Sequence, residues 1–338
     1  MSDPGSTRPA IHPPPPSSGS SSADPRSAGA PAAPFQASGT VSPRMAWLLL
    51  GSVILLWGVN WPVMKLGIKD IPPMTFAVIR MLLGAVCMFG VLALRGNRIR
   101  LPSRHDLPIV LTVGLLQMGA FLGLVTVALQ FVSAGRSSIL AYTTALWVVP
   151  GAALFLGERL TGTKLTGFML GMAGVAVMFN PVAFDWTDRD VLVGNGLLML
   201  AALAWAAQII QVRGHRWHAS PLELAPWQFT VAAVVLFPIA LFMDAGRSVD
   251  WTGRAVAVLF YNGPIATAFC FWAVVTVNRA LPAITTSLGT LGVPVAGVAA
   301  SAAMLGEPVT LTNLAGLVLI LGGLAWLALG DRIKPRAQ

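Results

Sequence analysis

From Met45 onward the chain is a succession of apolar runs, each about 20 residues long and parted from the next by a few polar, glycine or proline residues. Ten can be marked, at 45–64, 73–94, 107–129, 134–156, 163–180, 194–212, 223–243, 255–277, 283–305 and 310–329. Runs of this length match the hydrocarbon thickness of a bilayer when wound as helices, and they lack the period-two alternation of barrel strands. A backbone in lipid must satisfy its own hydrogen bonds, so each run predicts a transmembrane helix. Composition agrees. Hydrophobic residues make up 55% of the chain and charged residues 10%, where a soluble domain carries about 25% charge. A soluble enzyme, a disulfide framework built on two cysteines and a fully disordered chain are thereby excluded.

Residues 1–44 form a separate zone, with ten of the 25 prolines and ten serines. Such a segment buries too little apolar surface to offset its ordering entropy, so it is expected to be a disordered cytoplasmic tail, and it has no apolar stretch of signal-peptide type. A short tail, 331–338, is expected at the other end. The net charge of +9 does not point to nucleic acid, because most Lys and Arg sit in the gaps between apolar runs, where they set topology and meet anionic lipid. With the amino terminus inside, fifteen basic residues fall on the inner side and six on the outer, with Arg80 within the second run. This excess predicts a multi-pass protein of the bacterial inner membrane with both termini cytoplasmic.

The chain also repeats itself. Residues 157–176 and 306–325 align at an offset of 149, with identities that include Gly157/Gly306, Glu158/Glu307, Thr161/Thr310, Leu165/Leu314, Gly167/Gly316 and Gly174/Gly323. An offset of 148 pairs Trp57 with Trp205, Asn60 with Gln208 and Arg80 with Gln228. Each unit, 45–180 and 194–330, then holds five runs. Five is odd, so the second unit threads the membrane in the opposite sense, and Glu158 and Glu307 fall on opposite sides. The expected fold is an all-α integral membrane protein of ten transmembrane helices in a 5+5 inverted-topology repeat, an architecture tied to alternating-access carriers.

Trp57-Gly58-Val59-Asn60, the Pro73-x-x-Phe76-x-x-x-Arg80 start of the second run, and the paired Leu-Gly-Glu segments at Leu156–Glu158 and Leu305–Glu307 resemble the drug/metabolite transporter superfamily, and within it the ten-helix EamA-type transporters. The resemblance covers about residues 46–329. It implies that helices one, three, four, six, eight and nine surround a central cavity.

Polar groups inside a bilayer cost free energy unless they pair or line a wet cavity, so each is a site candidate. Asn60 shares a face with Trp57, Trp61 and Met64, and its counterpart Gln208 shares one with Trp205 and Gln211. An amide beside an indole from each half can hydrogen-bond a polar metabolite and stack on its apolar part, or can simply fix helix packing. Gln117, Tyr142, Tyr261 and Asn262 complete the set. The tyrosines are the only two in the chain. Arg80, about 10 Å past Pro73 at 1.5 Å per residue, is suited to a substrate carboxylate. The expected substrate-binding residues are therefore Trp57, Asn60, Arg80, Gln117, Tyr142, Trp205, Gln208, Tyr261 and Asn262.

No Asp, Glu or His falls near the middle of a run, and no phosphate-binding, metalloprotease or nucleophile-elbow motif is present. His215-x-x-His218 lacks further ligands, so no metal and no cofactor are expected. Gly167-x-x-x-Gly171 predicts close helix approach, within the fold or at a homodimer contact. The expectation is a non-enzymatic secondary transporter of small organic metabolites, amino acids or related compounds, working as exporter or exchanger by alternating access. Its partners are a small-molecule substrate and membrane lipid. The rival is a membrane scaffold or sensor whose amino-terminal tail recruits a partner.

Overall fold

The computed structural model describes residues 41–97, 99–157, 160–179, 187–213, 215, 218–281, 286 and 289–333. The expected amino-terminal tail lies almost wholly outside them, as do Glu158 and the last five residues. Ten apolar helices are present among the described residues. They are α1 (Pro43–Gly67), α2 (Pro73–Leu94), α3 (Leu107–Ala128), α4 (Ala134–Leu156), α5 (Gly162–Phe179), α6 (Arg189–Arg213), α7 (Pro221–Met243), α8 (Gly253–Asn278), α9 (Gly292–Leu305) and α10 (Leu311–Ile333). Several boundaries differ from the sequence reading, α6 starting at Arg189 rather than 194 and α9 at Gly292 rather than 283. α1 starts two residues early because Pro43 suits the first helical position and the Ser42 hydroxyl accepts from Met45 N. α10 runs on to Ile333, into the expected carboxyl-terminal tail. Large apolar side chains face outward, with Val86 and Val318 each 67% exposed, as a lipid-facing surface requires.

The helices pack as two exchanged copies. α1 lies against α8 and α9, and its counterpart α6 lies against α3 and α4. α2 packs on α7, and α5 on α10. Local irregularities repeat as well. α3 is π-helical over Val113–Phe121 and α8 over Tyr261–Phe269, two nine-residue stretches separated by the 148-residue offset. α4 and α9 both end on a left-handed glycine, Gly157 at φ 65° and Gly306 at φ 67°. This accounts for the glycine of Leu-Gly-Glu, because a side chain in that conformation would be strained.

The loops tie in the same pattern with the acid exchanged between partners. After α1, Asp70 accepts from Thr252 Oγ1 at 2.8 Å and from Arg254 Nε at 2.7 Å, at the start of α8. At the start of α3, Asp106 accepts from His218 N at 2.9 Å and Ala219 N at 3.2 Å, after α6. Positions 70 and 218 correspond under the repeat, as do 106 and 254. The Arg254 bonds hold the Asp70 carboxyl below its ordinary value. Burial pushes Asp106 upward, but the amide and Ser103 hydrogen bonds together outweigh it and leave the carboxyl lowered.

The α5–α10 contact is made backbone to backbone. A Cβ on Gly323 would fall 2.6 Å from Gly167 O and from Gly171 N, and one on Gly174 would fall 2.8 Å from Gly316 O. The glycine spacing on α5 is thus used inside the chain, where close approach gains the dispersion contact that drives helix association in lipid.

Candidate functional site

A cavity of about 160 Å³ lies among α1, α2, α3, α4, α6, α7 and α8. Its wall is built from helix faces that the sequence spacing aligns. On α1, Trp57, Asn60, Trp61 and Met64 stand at i, i+3, i+4 and i+7, one face of the helix, and all meet the cavity. Gly58 turns the other way, toward Ala296 and Gly297 of α9, with no room for a Cβ. On α3 the π-helical stretch carries Gln117, Met118 and Phe121 to the wall. A π-turn re-aims the side chains around it, and such turns are frequent at functional sites. α4 breaks at Tyr142 and Thr143 between its two helical segments, and Tyr142 faces the cavity at the break.

Arg80 is the charged member of the wall. It is 5% exposed. Its Nε donates to Thr267 Oγ1 at 2.9 Å and its Nη1 to Met64 Sδ at 3.1 Å. Both partners are neutral, and no carboxylate is among the residues lining the cavity. Met64 Sδ also accepts from Asn60 Nδ2 at 3.0 Å, which leaves Asn60 Oδ1 buried with no partner. Around these groups stand Trp57, Trp61, Phe121, Tyr142 and Trp205. Phe121 and Tyr142 pack on the Trp205 ring with centroids 4.8 and 6.0 Å away. The arrangement sets one buried cation with neutral partners and one buried acceptor without a donor beside an aromatic wall, the equipment for holding a small organic anion with an apolar part.

Of the nine residues expected from sequence, Trp57, Asn60, Arg80, Gln117, Tyr142 and Trp205 line this cavity and three do not. Gln208 is buried outside it. Trp205 and Gln211, expected on one face, separate: Trp205 meets the central cavity and Gln211 a second groove between α4 and α6. Six residues at 100° each leave them about 120° apart around α6. The Tyr261 hydroxyl donates to Leu56 O at 2.7 Å, and Asn262 Nδ2 donates to Val258 O within its own helix at 3.0 Å. Trp57 offers the cavity its ring alone, since its Nε1 donates to Ala266 O at 2.9 Å.

Thr267, Phe229 and Phe271 are wall residues that the sequence reading did not name, while Trp61 and Met64 were placed on the right face of α1 but not among the substrate-binding residues. Contrary to the helix set implied by resemblance, α2 and α7 contribute to the wall and the described part of α9 does not. The hydroxyls of Thr143 and Thr144 donate one turn back, to Leu140 O and Ala141 O. Near His215 and His218 the structure adds His105, whose ring lies 5.0 Å from that of His218 and whose carbonyl is 2.7 Å from His215 Nε2. Among the described residues no group of three or more His, Cys, Asp or Glu is arranged to hold a metal ion.

Ten apolar helices in two exchanged copies around an interior cavity define a multi-pass membrane protein. The EamA-like transporter family matches residues 44–180 and 192–329. The chain therefore belongs to the EamA-like transporter family. It is similar to the uncharacterized transporter YoaV of Bacillus subtilis, 29% identical over 83% of this chain and 96% of the relative. It is also similar to proteins named probable amino-acid metabolite efflux pump in Escherichia coli and Salmonella typhimurium. Both are 27% identical, covering 80% and 85% of this chain and 91% and 95% of theirs. A crystal structure 20% identical to the chain shares its fold, with a TM-score of 0.60 over 87% of this chain and all of the other.

Proposed function

We propose that this protein is a secondary transporter of small organic metabolites, amino acids or related compounds, acting as an exporter or exchanger in the bacterial inner membrane with both termini in the cytoplasm. The observation that carries the reading is Arg80, a buried cation on the cavity wall with a hydroxyl and a thioether as its partners. Burying an uncompensated charge costs free energy, and a substrate carboxylate recovers it through a charge-assisted contact. Relatives named as amino-acid metabolite efflux pumps support the same substrate range.

The residues expected to touch substrate are those of the wall, with Arg80 on the carboxylate and Trp57, Tyr142 and Trp205 on the apolar part. Tyr261 ties α8 to α1 through the Leu56 carbonyl. The exchanged packing supports alternating access, since any change in how α4 meets α6 would have its counterpart where α9 meets α1. The test is uptake of a radiolabelled amino-acid and metabolite panel into proteoliposomes, with Arg80→Gln alongside. Saturable flux that falls at least tenfold in the variant is expected. Flux no greater than in empty vesicles across the panel would refute the reading.

A further inference from the structure

The groups around Arg80 narrow the substrate further, on the premise that the cavity is the transport site. Met64 Sδ accepts from Arg80 Nη1 and from Asn60 Nδ2, so guanidinium and carboxamide converge on one atom with their nitrogens no more than about 6 Å apart. The Asn60 orientation is fixed by that contact, because the reverse would set oxygen against sulfur, two acceptors. Asn60 is 7% exposed, and its Oδ1 has no donor. A thioether is a weak acceptor, so both groups are held in place without being fully satisfied.

An occupant that places a carboxylate on Arg80 sets its α-carbon substituent near Asn60. Oδ1 requires a donor there. A neutral O–H or N–H supplies one. An ammonium supplies one too, but it adds a second positive charge beside Arg80 in a cavity whose wall carries no carboxylate, where low dielectric strengthens the repulsion. We infer that the cavity selects monocarboxylates with a neutral hydrogen-bond donor on the α-carbon and an apolar arm, ahead of zwitterions of the same shape. The arm lies among the Trp57, Trp61, Phe121, Tyr142 and Trp205 rings.

Calorimetric titration of the full chain in detergent at neutral pH, with three ligands sharing one benzyl arm, separates the terms. 3-Phenyllactate has the α-hydroxyl, phenylalanine the α-ammonium, and 3-phenylpropionate neither. Phenyllactate is expected to bind about tenfold tighter than phenylpropionate, the value of one hydrogen bond to a buried acceptor, and tighter than phenylalanine. Asn60→Leu should erase the first difference. Asn60→Asp should reverse the second, since it gives an ammonium its counterion. Phenylalanine binding to the unaltered protein as tightly as phenyllactate, or more so, would overturn this inference while leaving the transport reading intact. Absence of binding by all three, with no flux in proteoliposomes, would remove both. If Asn60→Asp fails to fold, Asn60→Leu and the unaltered protein still decide the matter.

Discussion

Glu307→Ala removes a bond between the two repeats. The Glu307 carboxylate accepts from Ala134 N at 2.8 Å and Gly135 N at 2.9 Å, the first amides of α4, across more than 170 residues of sequence. These amides have no partner within their own helix, and the first turn of a helix favours negative charge. The neighbouring strand of chain is fixed by Lys65 Nζ, which donates to Leu129 O and Val132 O. A backbone amide bond to a charged acceptor contributes about 1.5–3 kcal/mol net, and the helix end adds about 0.3–1 kcal/mol. Glu307 is half-exposed, so water takes over part of its role when it is lost. The expected losses are therefore about 2–4 kcal/mol for Glu307→Ala and about 1–2 kcal/mol for Glu307→Gln, which keeps one acceptor. The chain carries its own reporter, because Cys270 is buried and Cys87 half-buried, both as free thiols. A thiol-reactive fluorophore should give melting temperatures in the order unaltered, Glu307→Gln, Glu307→Ala. An alanine variant that melts with the unaltered protein would show that this contact does not hold the repeats together.

Four further outcomes are expected. Single cysteines at Leu160 and Val309, in a background with Cys87 and Cys270 replaced by Ser, should be labelled by an impermeant maleimide from opposite faces of the membrane; labelling from one face would defeat the inverted arrangement. Gly323→Val should destabilise by about 1–3 kcal/mol or more in the same melting assay, because its side chain has only the α5 backbone to displace. Asp70→Arg and Arg254→Asp should each lower the melting temperature, while the double exchange recovers most of the loss, since the second end of the molecule already carries its acid on the opposite partner. The Asp70 carboxyl is lowered in the folded state, so its contribution is complete above the ordinary value of 3.8 and disappears as pH falls through the lower folded one. Melting curves of the unaltered protein and Asp70→Asn should therefore differ at pH 7 and converge in strong acid.

The ten helices and the repeat were legible because lipid leaves so few choices: an apolar run of bilayer length has to be a helix, and an odd number of them in each unit has to invert. Asn60 and Arg80 stood out for the same reason, as costly polar groups in apolar runs, and both meet the cavity. What was not legible is how the helices are turned. Phe121 and Phe271 face the cavity and Val86 faces outward, yet all three are apolar residues in apolar helices, and nothing in their spacing separates a wall from a lipid surface. The π-helical stretches left no composition signal, although their places in α3 and α8 obey the repeat offset. Tyr261 was singled out as the scarcer kind of residue, but its hydroxyl is spent on Leu56 O, a contact that depends on α1 and α8 being neighbours.

That contact has a companion. Tyr261 reaches from α8 to the Leu56 carbonyl, and Trp57, the next residue along, reaches back to Ala266. Two opposed rivets fasten one helix of each repeat into a single plate that spans the boundary between the halves. In the proposed alternating-access cycle the rocking that exposes the cavity would carry this plate whole, and a hinge would have to lie on either side of it rather than between α1 and α8.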